Sequence, residues 1–382
     1  MKEGWTYKKL GEITISMADG PFGSNLKAEH YTDRKEVRII QLSNIGEEGW
    51  REENVKYTTF EHLESIKRSE VQPDDIVIAK MMPAGRAILC PHHEKKYVLS
   101  SDAVRATLIE GVDKKFILYS INSPYFRKQV YANVSGSGRV RTSLTKLRDC
   151  SIAIPSLEVQ QRIVERLDAA FENIDKLKAN AEKQLAEARI LFQKSLAKAM
   201  EPKDGWEEKI LPDISENLDS IRVPVTKKDR TEGKYPYYGA SGIVDYVDDY
   251  LFDEDLLLIS EDGANLLMRT YPIAFSVSGK IWVNNHAHAL RFKDMATQKY
   301  VEYFFASLKL DEYISGAAQP KLTQKALNSI PIYIPSDVAV QQRIVERLDA
   351  LSENIRKYEE IQRQIISECD ALKQALLRKV FE

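Results

Sequence analysis

Ten consecutive residues, QQRIVERLDA, occur twice in this chain, at 160–169 and at 341–350. The flanks agree as well, IPSLEVQQRIVERLDAAFENI from residue 154 matching IPSDVAVQQRIVERLDALSENI from residue 334. Identity of that length does not arise by chance within one chain, so any fold must accommodate the same element twice. Upstream the agreement thins. Gly4 and Trp5 head the first half as Gly205 and Trp206 head the second, and Leu147 precedes Ile154 by seven residues as Leu327 precedes Ile334. Each copy is a variable segment followed by a constant one.

The constant segments read as long helices. Residues 157–200 and 338–382 contain neither Gly nor Pro, while Pro155 with Ser156, and Pro335 with Ser336, supply a break and a capping hydroxyl. Apolar residues recur by threes and fours at Ile163, Leu167, Ala170, Ile174, Leu177, Ala181, Leu185, Ala188 and Leu191. The second copy has Ile344, Leu348, Leu351, Ile355, Tyr358, Ile365, Cys369, Leu372 and Leu376. That spacing is a coiled-coil seam. At about 1.5 Å per residue each helix runs roughly 65 Å, and such a stripe is stable in water only against a partner of matching length. The other copy is that partner. A whole variable segment lies between the two, so the second helix must return along the first. The expectation is an intramolecular antiparallel pair with a globular domain at each end, related by a pseudo-twofold axis.

The variable segments carry short β-rich runs, VRIIQ (37–41), DIVIA (75–79), LLLI (256–259) and KIWV (280–283), between Gly, Asn, Asp and Pro turns. Helical patterns are confined to 114–131 and 297–313, each shortly before a constant segment. The expected class is α+β, with globular domains at 1–150 and 203–333 and long helices within 151–202 and 334–382. A length of 382 residues is ample for that many units. No run of about 18 apolar residues occurs, and the opening MKEGWTYKKL lacks the apolar stretch of an export signal. Cys90, Cys150 and Cys369 are too few and too scattered for a disulfide framework or zinc cluster, which points to a cytoplasmic protein with buried thiols.

Signatures of catalysis are missing. GxxxxGK[ST], GxGxxG after a strand, HExxH, GxSxG and the NPP[YF] of adenine methyltransferases do not occur. Asp74 after Pro73, with Glu94 and Lys96 downstream, matches the acidic pattern by which a stand-alone nuclease holds Mg²⁺. The same residues read more simply as a turn before a buried strand and a solvated turn after Pro91. His286 and His288 in VNNHAHAL would share one side of a strand, as metal ligands do, but no third ligand at sensible spacing accompanies them. A polar edge of Asn284, Asn285, His286 and His288 facing bases or phosphates is expected instead, with no metal.

Whole-chain charge gives nucleic-acid binding no support: 55 Lys+Arg against 57 Asp+Glu leave −2, so local clusters must carry any such claim. Residues 1–150 hold 24 basic and 20 acidic side chains, net +4, and residues 201–330 hold 15 and 21, net −6. GSGRVRTSLTKLR (136–148) sets Ser137, Arg139, Arg141, Lys146 and Arg148 among small hydroxyl residues, a composition suited to phosphate and groove contact. Its counterpart GAAQPKLTQK (316–325) keeps Gln319, Lys321 and Lys325. DGPFGSNLK (19–27), with Ser24, Asn25 and Lys27, and YPYYGASG (235–242), with Tyr238 and Ser241, are loops whose backbone could approach a duplex. Lys80, Arg86 and Lys280 complete the candidate DNA contacts. On the helices Arg162, Glu165, Arg166 and Asp168 are repeated as Arg343, Glu346, Arg347 and Asp349 in divergent surroundings, which points to one kind of partner touched twice. Gln160 and Gln341 join that set. A coiled-coil scaffold binding protein alone is the rival from another class.

With these segments the chain resembles the specificity subunit of type I restriction-modification systems over essentially its full length. The resemblance rests on the two IPS…QQRIVERLDA segments, on DGPFGSNLK, and on YPYYGASGIVDYVDDY, SEDGANL and SGKIWVNNHAHAL. It implies two target-recognition domains, each reading half of a split double-stranded DNA site. It also implies antiparallel helices that dock two methyltransferase subunits, with room for two restriction subunits. No catalytic residue is implied in this chain; S-adenosylmethionine, ATP and Mg²⁺ would be held by the partners. The acidic second domain departs from an idealised DNA binder and shifts phosphate affinity toward those partners.

Overall fold

The computed structural model describes residues 4–132, 141–316 and 319–382. They group into two compact units, Met1–Ala181 with Gln364–Glu382, and Glu182–Arg363. Each unit thus takes in one globular domain and part of both long helices, so the boundary falls inside the helices and not at the ends of the variable segments.

The globular domains share one wiring. In the first, an antiparallel sheet runs Thr14–Asp19, Ala103–Leu108, Ile76–Ala79, Ala87–Leu89. A second sheet runs Tyr57–Thr58, Val37–Ile40, Tyr97–Leu99, Glu70–Val71, its central pair parallel. Thr6–Lys9 pairs antiparallel with Ser151–Ile154. The second domain repeats this with Ser215–Asn217, Ala287–Phe292, Leu256–Ser260, Ala274–Val277 in one sheet and Gly242–Val247, Glu232–Gly239, Lys280–Val283, Phe252–Asp253 in the other. Trp206–Lys209 pairs with Ile332–Pro335. The central strands, IVIA at Ile76–Ala79 and LLLIS at Leu256–Ser260, are buried throughout, so a continuous apolar run is stable there only as a strand covered on both faces. The helical pattern near 297–313 ends early, at Ser307, within Met295–Ser307.

The faint upstream signals mark equivalent positions. Gly4 and Gly205 adopt φ of +78° and +80°, a left-handed turn that favours glycine. Trp5 then packs on Phe116 at 5.9 Å and Trp206 on Tyr300 at 6.0 Å between ring centroids. Leu147 and Leu327 are both fully buried, behind helices capped by Ser143 and Thr323. All three cysteines are free and buried.

The long helices span Leu157–Ala199 and Val338–Phe381. The second is capped by Asp337, whose carboxylate accepts the Ala339 amide at 2.8 Å, while the Ser336 hydroxyl, the expected cap, donates to the Gly205 carbonyl. Their sense is antiparallel within each unit. In the first, Val164 and Leu167 share a core with Leu377 and Phe381, and Lys178 pairs with Asp370. In the second, Leu196 and Met200 share a core with Val345 and Leu348. The seam differs in phase from the apolar pattern. Leu167, Ile174, Ala181 and Ala188 are buried as expected, but Leu177 and Leu191 are more than half exposed, and Lys178 and Phe192, one residue later, turn inward together with Phe171. The second helix repeats this: Leu372 is half exposed, Tyr358 is exposed with its hydroxyl donating to Gln184, and Glu359, Gln362 and Lys373 occupy the seam. Alkyl stems fill the interface while charged ends find partners, which a count of apolar residues misses.

Part of the repeated decapeptide holds the domains on the helices and not a partner. Gln160 is 1% exposed; its amide oxygen accepts the Asp113 N–H at 2.9 Å and its NH₂ donates to the Pro155 carbonyl. Gln341, 4% exposed, bonds Thr297 and the Pro335 carbonyl in the same way. Asp168 accepts from Tyr119 and Lys115, and Asp349 from Tyr303. Gln160 and Gln341 are therefore removed from the partner-facing set, because burial and satisfied hydrogen bonds leave nothing to offer a second protein, while Asp168 and Asp349 stay partly or fully exposed and bond the globular domains.

Candidate nucleic-acid interface

In the first unit a cleft of about 860 Å³ opens where the buried strand Ile76–Ala79 ends. Lys80, only 5% exposed, forms its floor, with Nζ 2.5 Å from Asp19 Oδ1. The Lys80 amide donates to the Asp102 carbonyl at 2.8 Å, and its own carbonyl accepts the Thr142 amide at 2.9 Å. Arg141, half-exposed, bonds the Ser101 carbonyl at 3.2 Å and lies 3.7 Å from Asp102. The loop after Asp19 must pass against Ser100 so tightly that a Cβ on Gly20 would lie 1.7 Å from the Ser100 carbonyl oxygen, which restricts the position to glycine. That turn presents Phe22, 84% exposed, at the rim beside Asn25 and Arg68.

The second unit builds the same frame from other side chains. After Leu256–Ser260 the Glu261 amide donates to the His286 carbonyl at 2.9 Å, and its carbonyl accepts the Leu322 amide at 2.8 Å. Glu261 thus stands where Lys80 stands, Lys321 where Arg141 stands, and His286 where Asp102 stands. Lys321 reaches Glu261 at 3.1 Å, and His286 Nδ1 lies 2.9 Å from Asp262. The equivalent backbone position thus carries a lysine paired with Asp19 in the first unit and a glutamate paired with Arg222 and Lys321 in the second.

Several sequence candidates converge on these places. Asn25, Lys80 and Arg141 line the first cleft. Asn285, His286 and Lys321 are exposed near Glu261, where the Asn284 amide donates to the Tyr238 carbonyl and the Ser260 hydroxyl to the Ala240 carbonyl beside Ser241. Others are placed elsewhere. Ser24 bonds Asn25 and Lys27 pairs with Glu29 outside the cleft lining. Arg86 is half-buried, donating to the Leu42 carbonyl, and Lys146 sits on the short helix Leu144–Asp149. Lys280 lies over the Tyr250 ring at 4.6 Å. Gln319 is exposed, two residues before Lys321. Ser137 and Arg139 lie outside the described residues.

The histidine pair does not form one polar edge. Only His288 lies on the strand Ala287–Phe292; it is 1% exposed, with Nδ1 2.6 Å from Asp219 and Nε2 2.9 Å from the Leu322 carbonyl. Asn284 is likewise buried, its side chain accepting the His286 amide. Asp219, Glu261 and His288 gather ligand-type atoms within 4.8 Å of one another. Arg222 serves as their cation, 2.8 Å from Glu261 and 3.3 Å from Asp219. Burial pushes the Asp219 carboxyl up, yet hydrogen bonds from His288 and the Ala289 amide outweigh it and hold the group below its ordinary value of 3.8. Glu261 is held below 4.5 against burial by Arg222, His288 and Lys321. Groups lowered in the folded state stabilise it above their unfolded pKa and lose that contribution as pH falls through the folded value. An Asp219→Asn chain should therefore melt lower than the parent at pH 7, with the gap closing below about pH 3.8, the ordinary value, in a thermal series.

The nuclease pattern does not assemble. Asp74 pairs with His92 and Lys114, Glu94 accepts the Tyr57 hydroxyl, and Lys96 pairs with Glu70. Asp19, Glu261, Asp262 and Arg222 were not legible as site residues, because the search favoured basic and aromatic loops. Aligning the two halves on the ends of their buried strands, AKMM against SEDG, brings out Glu261 and Asp262 beside Lys80.

A family model described as a type I restriction modification DNA specificity domain matches residues 2–187 and again 203–366. A putative type I restriction enzyme specificity subunit of Haemophilus influenzae is 36% identical over 146 residues, 38% of this chain and 37% of that protein. The MjaVIII specificity subunit of Methanocaldococcus jannaschii is 24% identical over 192 residues, 49% of this chain and 44% of the relative. The matched stretches thus span less than half of either relative. In fold, the chain is similar to one solved in a study of assembly and conformational transition of the type I R-M system, with TM-score 0.78, 17% identity, and coverage of 99% and 97%. The HsdS subunit from Thermoanaerobacter tengcongensis gives 0.61 at 18% identity, covering 100% of this chain and 97% of that one. Among the described residues no helix is long and apolar enough to cross a membrane.

Proposed function

The chain belongs to the type I restriction modification DNA specificity family, and on that premise we propose that it reads a split duplex site, one half-site per globular domain, without catalytic chemistry of its own. The observation that carries this reading is one backbone frame built twice with side chains of opposite charge at the same position, Lys80 in the first domain and Glu261 in the second. Two readers with one backbone frame and inverted charge suit two different sequences: a cation favours guanine O6 and N7, a carboxylate favours the cytosine amino group. The bound site is then a bipartite, non-palindromic sequence.

The helices supply the docking surface in this reading. Within the repeated decapeptide Arg162, Glu165 and Arg166, and their copies Arg343, Glu346 and Arg347, remain exposed. Two methyltransferase subunits bind them, with room for two restriction subunits. S-adenosylmethionine, ATP and Mg²⁺ belong to those partners. Weak binding of DNA by the chain alone fits a net charge of −2, the partners completing the phosphate contacts. Methylation-sensitive sequencing of a cell carrying this chain and its methyltransferase tests the reading. The expected result is one motif of two unlike blocks with an unspecified gap. A palindrome, or no motif dependent on this chain, would reject it.

A further inference from the structure

The two long helices are copies, and part of their apolar seam is shared: Val164, Leu167 and Ile174 recur as Val345, Leu348 and Ile355, while Phe171, Ala181 and Ala188 are replaced by Ser352, Gln362 and Cys369. The shared part does not tell a helix whether its neighbour is the other copy or a second molecule of itself. The flanking charges do. In the first unit Lys178 of the first helix pairs with Asp370 of the second at 2.8 Å. In the second unit Arg189 of the first helix pairs with Glu359 of the second at 3.0 Å. The decapeptide register makes Lys178 the counterpart of Glu359, and Arg189 the counterpart of Asp370. The two bridges are thus the same bridge drawn twice with its sign reversed.

We propose that the first helix selects the second, and rejects a further copy of itself, because both cations of this repeated bridge stand on the first helix and both anions on the second. In a first-helix homodimer of the same register Lys178 would face Arg189. In a second-helix homodimer Glu359 would face Asp370. Every attraction in the correct pair becomes a repulsion in either wrong one, the device by which charged positions flanking a coiled-coil seam set partner choice. A second contact enforces the same choice. Glu48, from the first globular domain, reaches Lys178 at 3.0 Å and Lys373 at 3.6 Å. The first-helix counterpart of Lys373 is Phe192, so a homotypic pair would offer Glu48 one lysine in place of two. Each exposed bridge changes an equilibrium only a few-fold, but two reversals together shift pairing by about tenfold or more at low salt.

The test uses the full chain. K178E/R189E makes all four positions acidic, E359K/D370K makes all four basic, and the fourfold variant restores complementarity with its sign inverted, leaving Lys373 for Glu48. Each double variant alone should melt several degrees below the parent at low salt, with the deficit closing in 1 M NaCl. The fourfold variant should recover part of the melting temperature lost by either double, the remainder being the lost Lys178–Glu48 and Glu359–Arg363 pairs, and an equimolar mixture of the two doubles should sediment as a 1:1 heterodimer. Parent-like melting of both doubles, a deficit that neither salt nor the fourfold variant repairs, or no heterodimer in the mixture would overturn the proposal and leave pairing to the apolar seam.

Discussion

A Lys80→Met chain, assembled with its partner subunits, is expected to bind and methylate its site about ten- to a hundredfold less well while keeping its fold. Lys80 is nearly buried, yet its ammonium group ends on the cleft floor against Asp19, whose side chain stays 39% exposed. Removing the cation costs a contact of about 1 to 3 kcal/mol if it reads guanine, and it also leaves the Asp19 carboxylate unpaired before an incoming polyanion. The second cost separates from the first by a double-mutant cycle, because Asp19→Asn removes the stranded charge. Asp19→Asn with Lys80→Met should recover part of the affinity and none of the discrimination. Binding at several salt concentrations to cognate and scrambled duplexes is the measurement. Loss confined to the cognate duplex marks base readout; loss on both, with the salt slope reduced by about one, marks a phosphate contact. Unchanged affinity for both would take Lys80, and the cleft with it, out of the DNA path. The methionine keeps much of the length of the alkyl stem, and a retained cooperative melting transition, moved back toward the parent by the added Asp19→Asn, is the matching control.

The expectation that Lys80 and Arg141 act together needed the structure, whereas the two-copy plan did not. An identical decapeptide and two stretches free of Gly and Pro determine two long helices from sequence alone, and buried runs such as IVIA and LLLIS determine central strands. The seam phase was misjudged because it rests on Lys178, Glu359, Gln362 and Lys373, which count as polar in a periodicity but bury their stems or pair their ends. Identity between copies misled for a different reason. It records a shared constraint without saying whether the constraint is internal or external: Gln160 and Gln341 are identical because each fastens a globular domain to its helix, and Arg162 and Arg343 cannot be identical for that reason, being exposed. In the clefts the missed groups were acidic. A search for phosphate contacts passes over Asp19, Glu261 and Asp262, although a carboxylate that orients a lysine or histidine shapes a reading surface as much as the base it holds.

That division of the repeat yields an expected stoichiometry. Arg162 and Arg166 lie four residues apart on the first helix, and Arg343 and Arg347 repeat them on the second. At that spacing both guanidinium groups of each pair share one helix face. Among the described residues the ion pair of Arg162 is a 4.0 Å contact to Glu158 within its own helix, so reversing it breaks no such pair with another element. Arg162→Glu with Arg166→Glu should therefore leave fold and melting temperature near those of the parent while removing one methyltransferase subunit, because like charges placed on a complementary patch cost several kcal/mol. Arg343→Glu with Arg347→Glu should remove the other, and the fourfold variant both. Native mass spectrometry of the assembled complex reads the outcome as masses two, one, one and zero partners above the chain. The single-copy variants should also lower methylation of the site relative to the parent. If both single-copy variants retain two partners, docking does not use the repeated charges. The exposed apolar residues of the helices, Leu177, Ile190, Leu191, Ile361 and Leu372, would then be the next surface to alter, since water-facing leucines and isoleucines on a paired helix contribute nothing to the pair itself.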